Sequence, residues 1–263
     1  MSEAIATTPL RAIFRFPFQG PRWQERFLIG SVLVFAGTVI PILPTIVVYG
    51  YALQIMRQAI KGQDLTPPAW DDWNRLLLDG LRGMAASLAY LLPGLFIFLG
   101  GMGIYFVSSI AFPLMIGLAE QSGENAMALP IVIMFFFSFG ILILSMFLGM
   151  LLMFLGALPL PMATAHMLAH DKLGAAFRVR EWWKLLRANW LGYGISLVIV
   201  AGLVMVLYAA ITLLYYSVVL CCIVPFVAAP IGFYLSLVSA ATFGQTYRES
   251  VTLLEAKREV TPA

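Results

Sequence analysis

The sequence predicts an all-α polytopic membrane protein, and three observations carry this prediction. Hydrophobic residues make up 61% of the 263 residues and charged residues only 11%, whereas soluble domains have about 45–50% and about 25%. Four stretches contain no Asp, Glu, Lys or Arg, and each exceeds the roughly 20 residues of a membrane-spanning helix. They also lack the polar–apolar alternation of a membrane β-barrel. These features exclude a soluble enzyme, a disordered chain and a fibrous protein.

The charge pattern divides the chain, taken as a single membrane domain (1–263), into segments. The four charge-free stretches are 27–56, 83–119, 125–170 and 188–247. The others are a basic N-terminal segment (1–26), an amphipathic segment (63–82), a connection (171–187) and a tail (248–263). Since 188–247 is long enough for two spanning helices, we expect about six helical limbs in three antiparallel pairs.

The first charge-free stretch, 27–56, is predicted to form a short helical hairpin. Its 30 residues would make about 45 Å of helix, which is too long for one upright crossing and short for two. Pro41 and Pro44 lie at its middle, where each removes a backbone donor and interrupts the helix. The hairpin is either re-entrant or just spanning, and one tilted crossing is the alternative.

The basic residues predict the orientation of these segments. They number four in 1–26, four in 57–82, none in 120–124, five in 171–187 and three after 247. Because Lys and Arg near span ends stay cytoplasmic, both termini should be cytoplasmic and the turn 120–124 should face out. The segments 83–119 and 125–170 would then cross once each.

An amphipathic helix is predicted over 63–82, lying on the cytoplasmic surface of the membrane with its tryptophans among the lipid headgroups. The apolar face comprises Trp70, Trp73, Leu77 and Leu81, and the polar face comprises Asp71, Arg75 and Asp79. The polar residues are spaced i, i+4 and can pair in sequence. A docking face for a soluble partner is the alternative interpretation.

The same segment resembles a known family. Pro68-Ala-Trp-Asp-Asp-Trp-Asn-Arg-Leu-Leu-Leu-Asp-Gly-Leu81, after Tyr49-Gly-Tyr51 and 57–62, is similar to the signature of an uncharacterised prokaryotic family, domain of unknown function 4013. The resemblance extends over about residues 20–250 and is specific over about 49–82. That family usually has an acidic residue where this chain has Ala69, and often a glycine at Asn74. The resemblance implies a multi-helix protein of the prokaryotic cytoplasmic (inner) membrane, with no activity or site to transfer.

The histidines raise the question of a metal site. His166, His170 and Asp171, spaced i, i+4 and i+5, could supply three ligands to a divalent ion. However, Ala165 and Met167 flank the first histidine where helical zinc proteases have a glutamate. Interfacial histidines at the C-terminal end of a helix are more common. We therefore expect neither a bound metal nor another cofactor.

Small residues recur every seven positions at Gly149, Gly156 and Ala163. Such a stripe lets another helix approach closely, which favours helix association in lipid. The sequence leaves open whether that helix belongs to this chain or to another one.

Function is the least constrained property of this sequence. Proton- or ion-coupled carriers usually keep an ionisable group within a span, and the four stretches contain no Asp, Glu, Lys or Arg. No nucleotide-binding or acyl-transfer motif is present, and membrane sidedness accounts for the basic residues without nucleic acid. We expect a non-catalytic scaffold or accessory subunit whose partners are membrane lipids and other membrane chains. The alternative is a transporter or pore for a small or apolar solute.

Overall fold

The computed structural model describes residues 10–122, 128–217 and 222–260, and within these ranges the chain is helical with no strand. The helices are α1 (Leu10–Arg15), α2 (Trp23–Val39), α3 (Leu43–Ile60), α4 (Trp73–Ser122), α5 (Ala128–Ala157), α6 (Leu160–His170), α7 (Val179–Ala188), α8 (Trp190–Tyr215) and α9 (Val224–Val260). Parts of the terminal segments and of the predicted outer turn 120–124 lie outside the described residues.

Four helical segments of the described chain are long and apolar enough to cross a membrane. They are Trp73–Gln121, Leu129–His170, Trp190–Tyr215 and Val224–Lys257. This confirms the predicted all-α polytopic membrane fold.

The chain divides into two compact units. One unit consists of Met1–Ala86 and Pro161–Ala263, and the other consists of Ser87–Leu160. The polar side chains of interest all belong to the first unit.

The first unit is built around α9, which packs against α2, α3, α7 and α8. The stretch 27–56 forms two helices, with Pro41 in the turn between them and Pro44 in the first turn of α3. The backbones of α3 and α4 cross where Gly50 meets Gly80. A Cβ at Gly50 would overlap the Leu76 carbonyl oxygen, and one at Gly80 would overlap the Ile46 carbonyl oxygen. Glycine at both positions therefore permits the crossing.

The second unit pairs the later part of α4 with α5. Gly149 lies against Gly94 and the backbone of Phe98, and a Cβ at Gly156 would overlap the Tyr90 carbonyl oxygen. Large apolar side chains such as Phe96, which is 79% exposed, cover the outer surfaces of this pair. In lipid such surfaces are stable because the acyl chains surround them.

The separate interfacial helix that we predicted over 63–82 is not present as such. Residues 63–72 are not helical, and α4 begins at Trp73 and continues without interruption to Ser122. The Asp72 carboxylate accepts a hydrogen bond from the Arg75 amide at 3.1 Å, which is the geometry of a helix N-cap. The helix therefore starts three residues after Trp70 and also supplies the next predicted span.

The predicted span 125–170 is also divided. Helix α5 ends at Ala157 and α6 begins at Leu160. Pro159 lies in this break, where its missing amide and its steric demand disfavour a continuous helix.

Candidate functional site

The first unit contains an ionic cluster centred on Arg57, which lies in the last turn of α3. Arg57 Nη2 is 3.1 Å from Asp79 Oδ2, and Arg57 Nη1 is 3.0 Å from Asp171 Oδ1. Arg75 and Arg82 each approach Asp79 to 3.9 Å. The cluster thus joins α3, the start of α4 and the residue that follows α6.

Burial differs sharply between the two carboxylates of the ionic cluster. The side chain of Asp79 is 5% exposed, whereas that of Asp171 is 66% exposed. The hydrogen bond from Arg57 and its positive charge lower the pKa of Asp171. Asp171 is consequently held as a negative partner for Arg57.

The placement of Asp79 corrects the polar face that we predicted for the interfacial helix. Asp79 does pair with Arg75 at i, i+4, but it is buried against Arg57 instead of facing water. Asp71 does not join this row, because its carboxylate accepts a hydrogen bond from the Asp72 amide at 3.0 Å. The buried pair escaped prediction because its partners are separated by 22 residues and lie on different helices.

The two tryptophans of the predicted apolar face have different environments. Trp70 precedes the helix and stacks on Tyr51, with ring centroids 4.1 Å apart. Its indole N–H donates to the Arg26 carbonyl at 3.0 Å, and the Tyr51 hydroxyl donates to the Pro68 carbonyl at 2.8 Å. Trp73, in contrast, is 44% exposed. Trp70 is therefore an anchor between the segment before α4 and the α2–α3 hairpin.

The two leucines of that predicted face also differ. Leu77 is half-buried, and Leu81 is exposed. The apolar face is thus only partly turned outward.

A second polar group, here called the histidine cluster, joins α6, α7 and α9. His166 Nδ1 is 2.8 Å from the Tyr247 hydroxyl, and His166 Nε2 is 3.1 Å from Glu181 Oε2. The His170 Nδ1–H group donates to the His166 carbonyl at 3.0 Å. His166 and Tyr247 are buried, whereas His170 and Glu181 are exposed.

The histidine cluster differs from the ligand set that we considered. Potential ligand atoms of His166, His170 and Glu181 all lie within 4.8 Å of one another. Asp171 is instead directed to Arg57, since it follows α6 in the left-handed conformation with a φ of 54°, which short polar residues tolerate. Glu181, in place of Asp171, is the third potential ligand.

Glu181 is positioned by the way that α7 packs. Trp182 and Leu185 of α7 are buried, and the Trp182 indole donates to the Ala176 carbonyl at 3.0 Å. The neighbouring Glu181 consequently faces His166, and that hydrogen bond lowers the pKa of the Glu181 carboxyl. One signal for this residue is present in the sequence, namely an acidic side chain in the first turn of a strongly amphipathic helix.

The first unit contains cavities that are large enough to hold a ligand. An apolar groove of about 610 Å³ between α2 and α9 is lined by Phe27, Leu28, Val32, Phe35, Phe226 and Pro230, among others. A polar cavity of about 400 Å³ is lined by residues that include Gln54, Arg57, Asp71 and Arg75.

The predicted stripe of small residues is divided between the units. Gly149 and Gly156 of α5 contact α4, and Ala163 of α6 is completely buried. The helix that occupies the glycine part of the stripe is thus a helix of the same chain.

The comparisons with known proteins address family membership. No curated protein and no solved structure matches this chain. The family described as "Protein of unknown function (DUF4013)" matches residues 33–216, which is more than half of the chain and includes α3, the start of α4 and both histidines. The chain therefore belongs to the DUF4013 family of proteins of unknown function.

Proposed function

We propose that this protein is a non-catalytic scaffold or accessory subunit of a membrane complex in the prokaryotic cytoplasmic membrane. The observation that carries this proposal is the set of ion pairs made by Asp79, a buried carboxylate within the candidate span Trp73–Gln121. Arg57 is 3.1 Å away, and Arg75 and Arg82 flank it at 3.9 Å. A buried carboxylate with three cationic neighbours holds helices together, which favours a structural role.

The surface of α8 supports the same proposal. Only Tyr193 and Ser196 of its 26 residues are buried. Val198 and Met205, seven residues apart on one face, are 72% and 73% exposed. A long apolar helix of this kind offers a large surface to lipids and to the spanning helices of other chains.

Site-directed photocrosslinking tests this proposal in native membranes. A benzophenone amino acid at Val198 or Met205 should give a discrete adduct with one and the same membrane protein. At Tyr193, which is buried and also aromatic, it should crosslink only within the chain. Adducts with lipid alone at both exposed positions would contradict the proposal.

The apolar groove between α2 and α9 favours a second candidate function, transport of a small apolar solute. The groove has a volume of about 610 Å³ and is lined mainly by apolar side chains. In reconstituted vesicles, a transporter should give saturable flux of a fluorescent apolar probe. Val32→Trp should block that flux by filling the groove, and Val39→Trp, on the same helix outside the groove, should not. Saturable flux with this pattern would replace the scaffold proposal.

A further inference from the structure

We propose that His166, His170 and Glu181 form a binding site for a divalent transition-metal ion of the zinc class. The three side chains come from α6 and α7, and their potential ligand atoms lie within 4.8 Å of one another. The sequence suggested a different ligand set, with Asp171 in place of Glu181, and from the sequence alone we expected no bound metal.

The spacing of the ligand atoms fits a metal ion. Zinc binds histidine nitrogen and carboxylate oxygen at about 2.0–2.2 Å in tetrahedral geometry, so that neighbouring ligand atoms are roughly 3.3 Å apart. His166 Nε2 and Glu181 Oε2 are 3.1 Å apart. The two imidazole rings have centroids 4.2 Å apart and are inclined by 51°, so a small adjustment of the exposed His170 can close the set.

The hydrogen bonds of the histidines orient both imidazole rings. His170 Nδ1–H donates to the His166 carbonyl, which places the free electron pair of that ring on Nε2. His166 Nδ1 faces the buried Tyr247 hydroxyl at 2.8 Å. A metal ion at Nε2 would replace the hydrogen bond from Nε2–H to Glu181, and the ring proton would then lie on Nδ1 and be donated to Tyr247. Metal-binding histidines in proteins are oriented by such a second hydrogen bond.

The surrounding charges are compatible with a cation. Glu181 contributes a carboxylate, whose present cationic neighbour is Arg178 at 3.6 Å. Arg178 is half-exposed and can move into solvent when an ion neutralises Glu181. The exposure of His170 and Glu181 gives the ion an entry path, and three protein ligands leave a fourth position for water. Two imidazoles and one carboxylate favour zinc, cobalt or nickel over magnesium or calcium.

Cobalt titration tests the site in the full-length protein, purified without a histidine tag and stripped with a chelator. Wild-type protein should bind one Co²⁺ per chain with visible d–d absorption, and Zn²⁺ should displace it. His170→Ala and Glu181→Gln should each lower the affinity at least about tenfold. Asp171→Asn is the matched control, since it adjoins His170 but faces Arg57, and it should bind cobalt like the wild type.

Thermal unfolding of each variant separates loss of the site from loss of the fold. His170→Ala, at an exposed position, should retain the unfolding temperature of the metal-free wild type. Absence of stoichiometric binding by the wild type would overturn the proposal. So would binding by His170→Ala and Glu181→Gln that equals the wild type.

Discussion

Arg57 is a residue that links distant parts of the sequence within the first unit. It pairs with Asp79 and, 114 residues away in sequence, with Asp171. Because the side chains of Arg57 and Asp79 are 11% and 5% exposed, neither is well solvated without the other. Desolvation opposes the attraction within such a pair, but removal of one partner leaves an uncompensated buried charge.

Substitution of Asp79 should therefore strongly destabilise the protein. We expect Asp79→Ala to lower the free energy of unfolding by about 3 kcal/mol, since Arg57 would retain only the exposed Asp171. Thermal or denaturant unfolding in detergent measures this effect. Asp64→Ala removes an exposed carboxylate and should leave stability nearly unchanged; equal stability of the two variants would show that the buried pair contributes little.

The tryptophans provide a second test at the same scale. Trp70→Ala removes the ring stacked on Tyr51 and the hydrogen bond to Arg26, and should cost about 3 kcal/mol. Trp73→Ala removes a ring that is 44% exposed, and should cost less than about half as much. The comparison of the two unfolding free energies checks the prediction. A larger loss for Trp73 would place the stabilising contacts at the membrane surface, as the sequence alone suggested.

At the scale of helices, close backbone approach governs how the described elements pair. The α3–α4 crossing depends on Gly50 and Gly80, and the α4–α5 pair on Gly149 and Gly156. In lipid, the hydrophobic effect does not distinguish helix from acyl chain, so van der Waals contact between closely packed helices holds the pair together.

Gly156→Leu should consequently disrupt the α4–α5 pair within the monomer. The new side chain would collide with the Tyr90 carbonyl, and we expect a loss of about 2 kcal/mol or more. Gly140→Leu on the same helix is the control, because a Cβ at Gly140 would meet nothing within 4 Å. Unfolding of both variants in detergent measures the difference. If Gly156→Leu were as stable as Gly140→Leu, the two helices would not depend on this contact.

The sequence predicted the helices better than the contacts between them. Charge-free stretches indicate which segments are compatible with lipid, and their positions predict the long apolar helices. It does not report tertiary partners, so the Arg57–Asp79 pair and the approach of Glu181 to His166 could not be predicted. The start of α4 was missed because Trp70 has the helical spacing to Trp73, while its stacking on Tyr51 is a long-range contact.

At the scale of the whole molecule, the distribution of basic residues predicts the orientation of the protein in the membrane. The described chain has four candidate spans, and four crossings would place the two termini on one side, as the sequence predicts. The basic segments 1–26, 57–82 and 171–187 carry four, four and five Lys and Arg residues, and 120–124 carries none. The ionic cluster and the histidine cluster would therefore lie near the cytoplasmic surface.

Cysteine labelling in intact cells tests this orientation. In a background of Cys221→Ser and Cys222→Ser, single cysteines replace the exposed residues Gln63, Gln121 and Lys184. The outer envelope is permeabilised and the cytoplasmic membrane is left intact. A membrane-impermeant maleimide should then label only Gln121→Cys, because 120–124 is expected to face out. Gln63→Cys and Lys184→Cys should react only after the membrane is opened. Labelling of Gln63→Cys before lysis would contradict the predicted orientation and show that the first unit faces outward. The histidine cluster would then draw its metal ion from outside the cell.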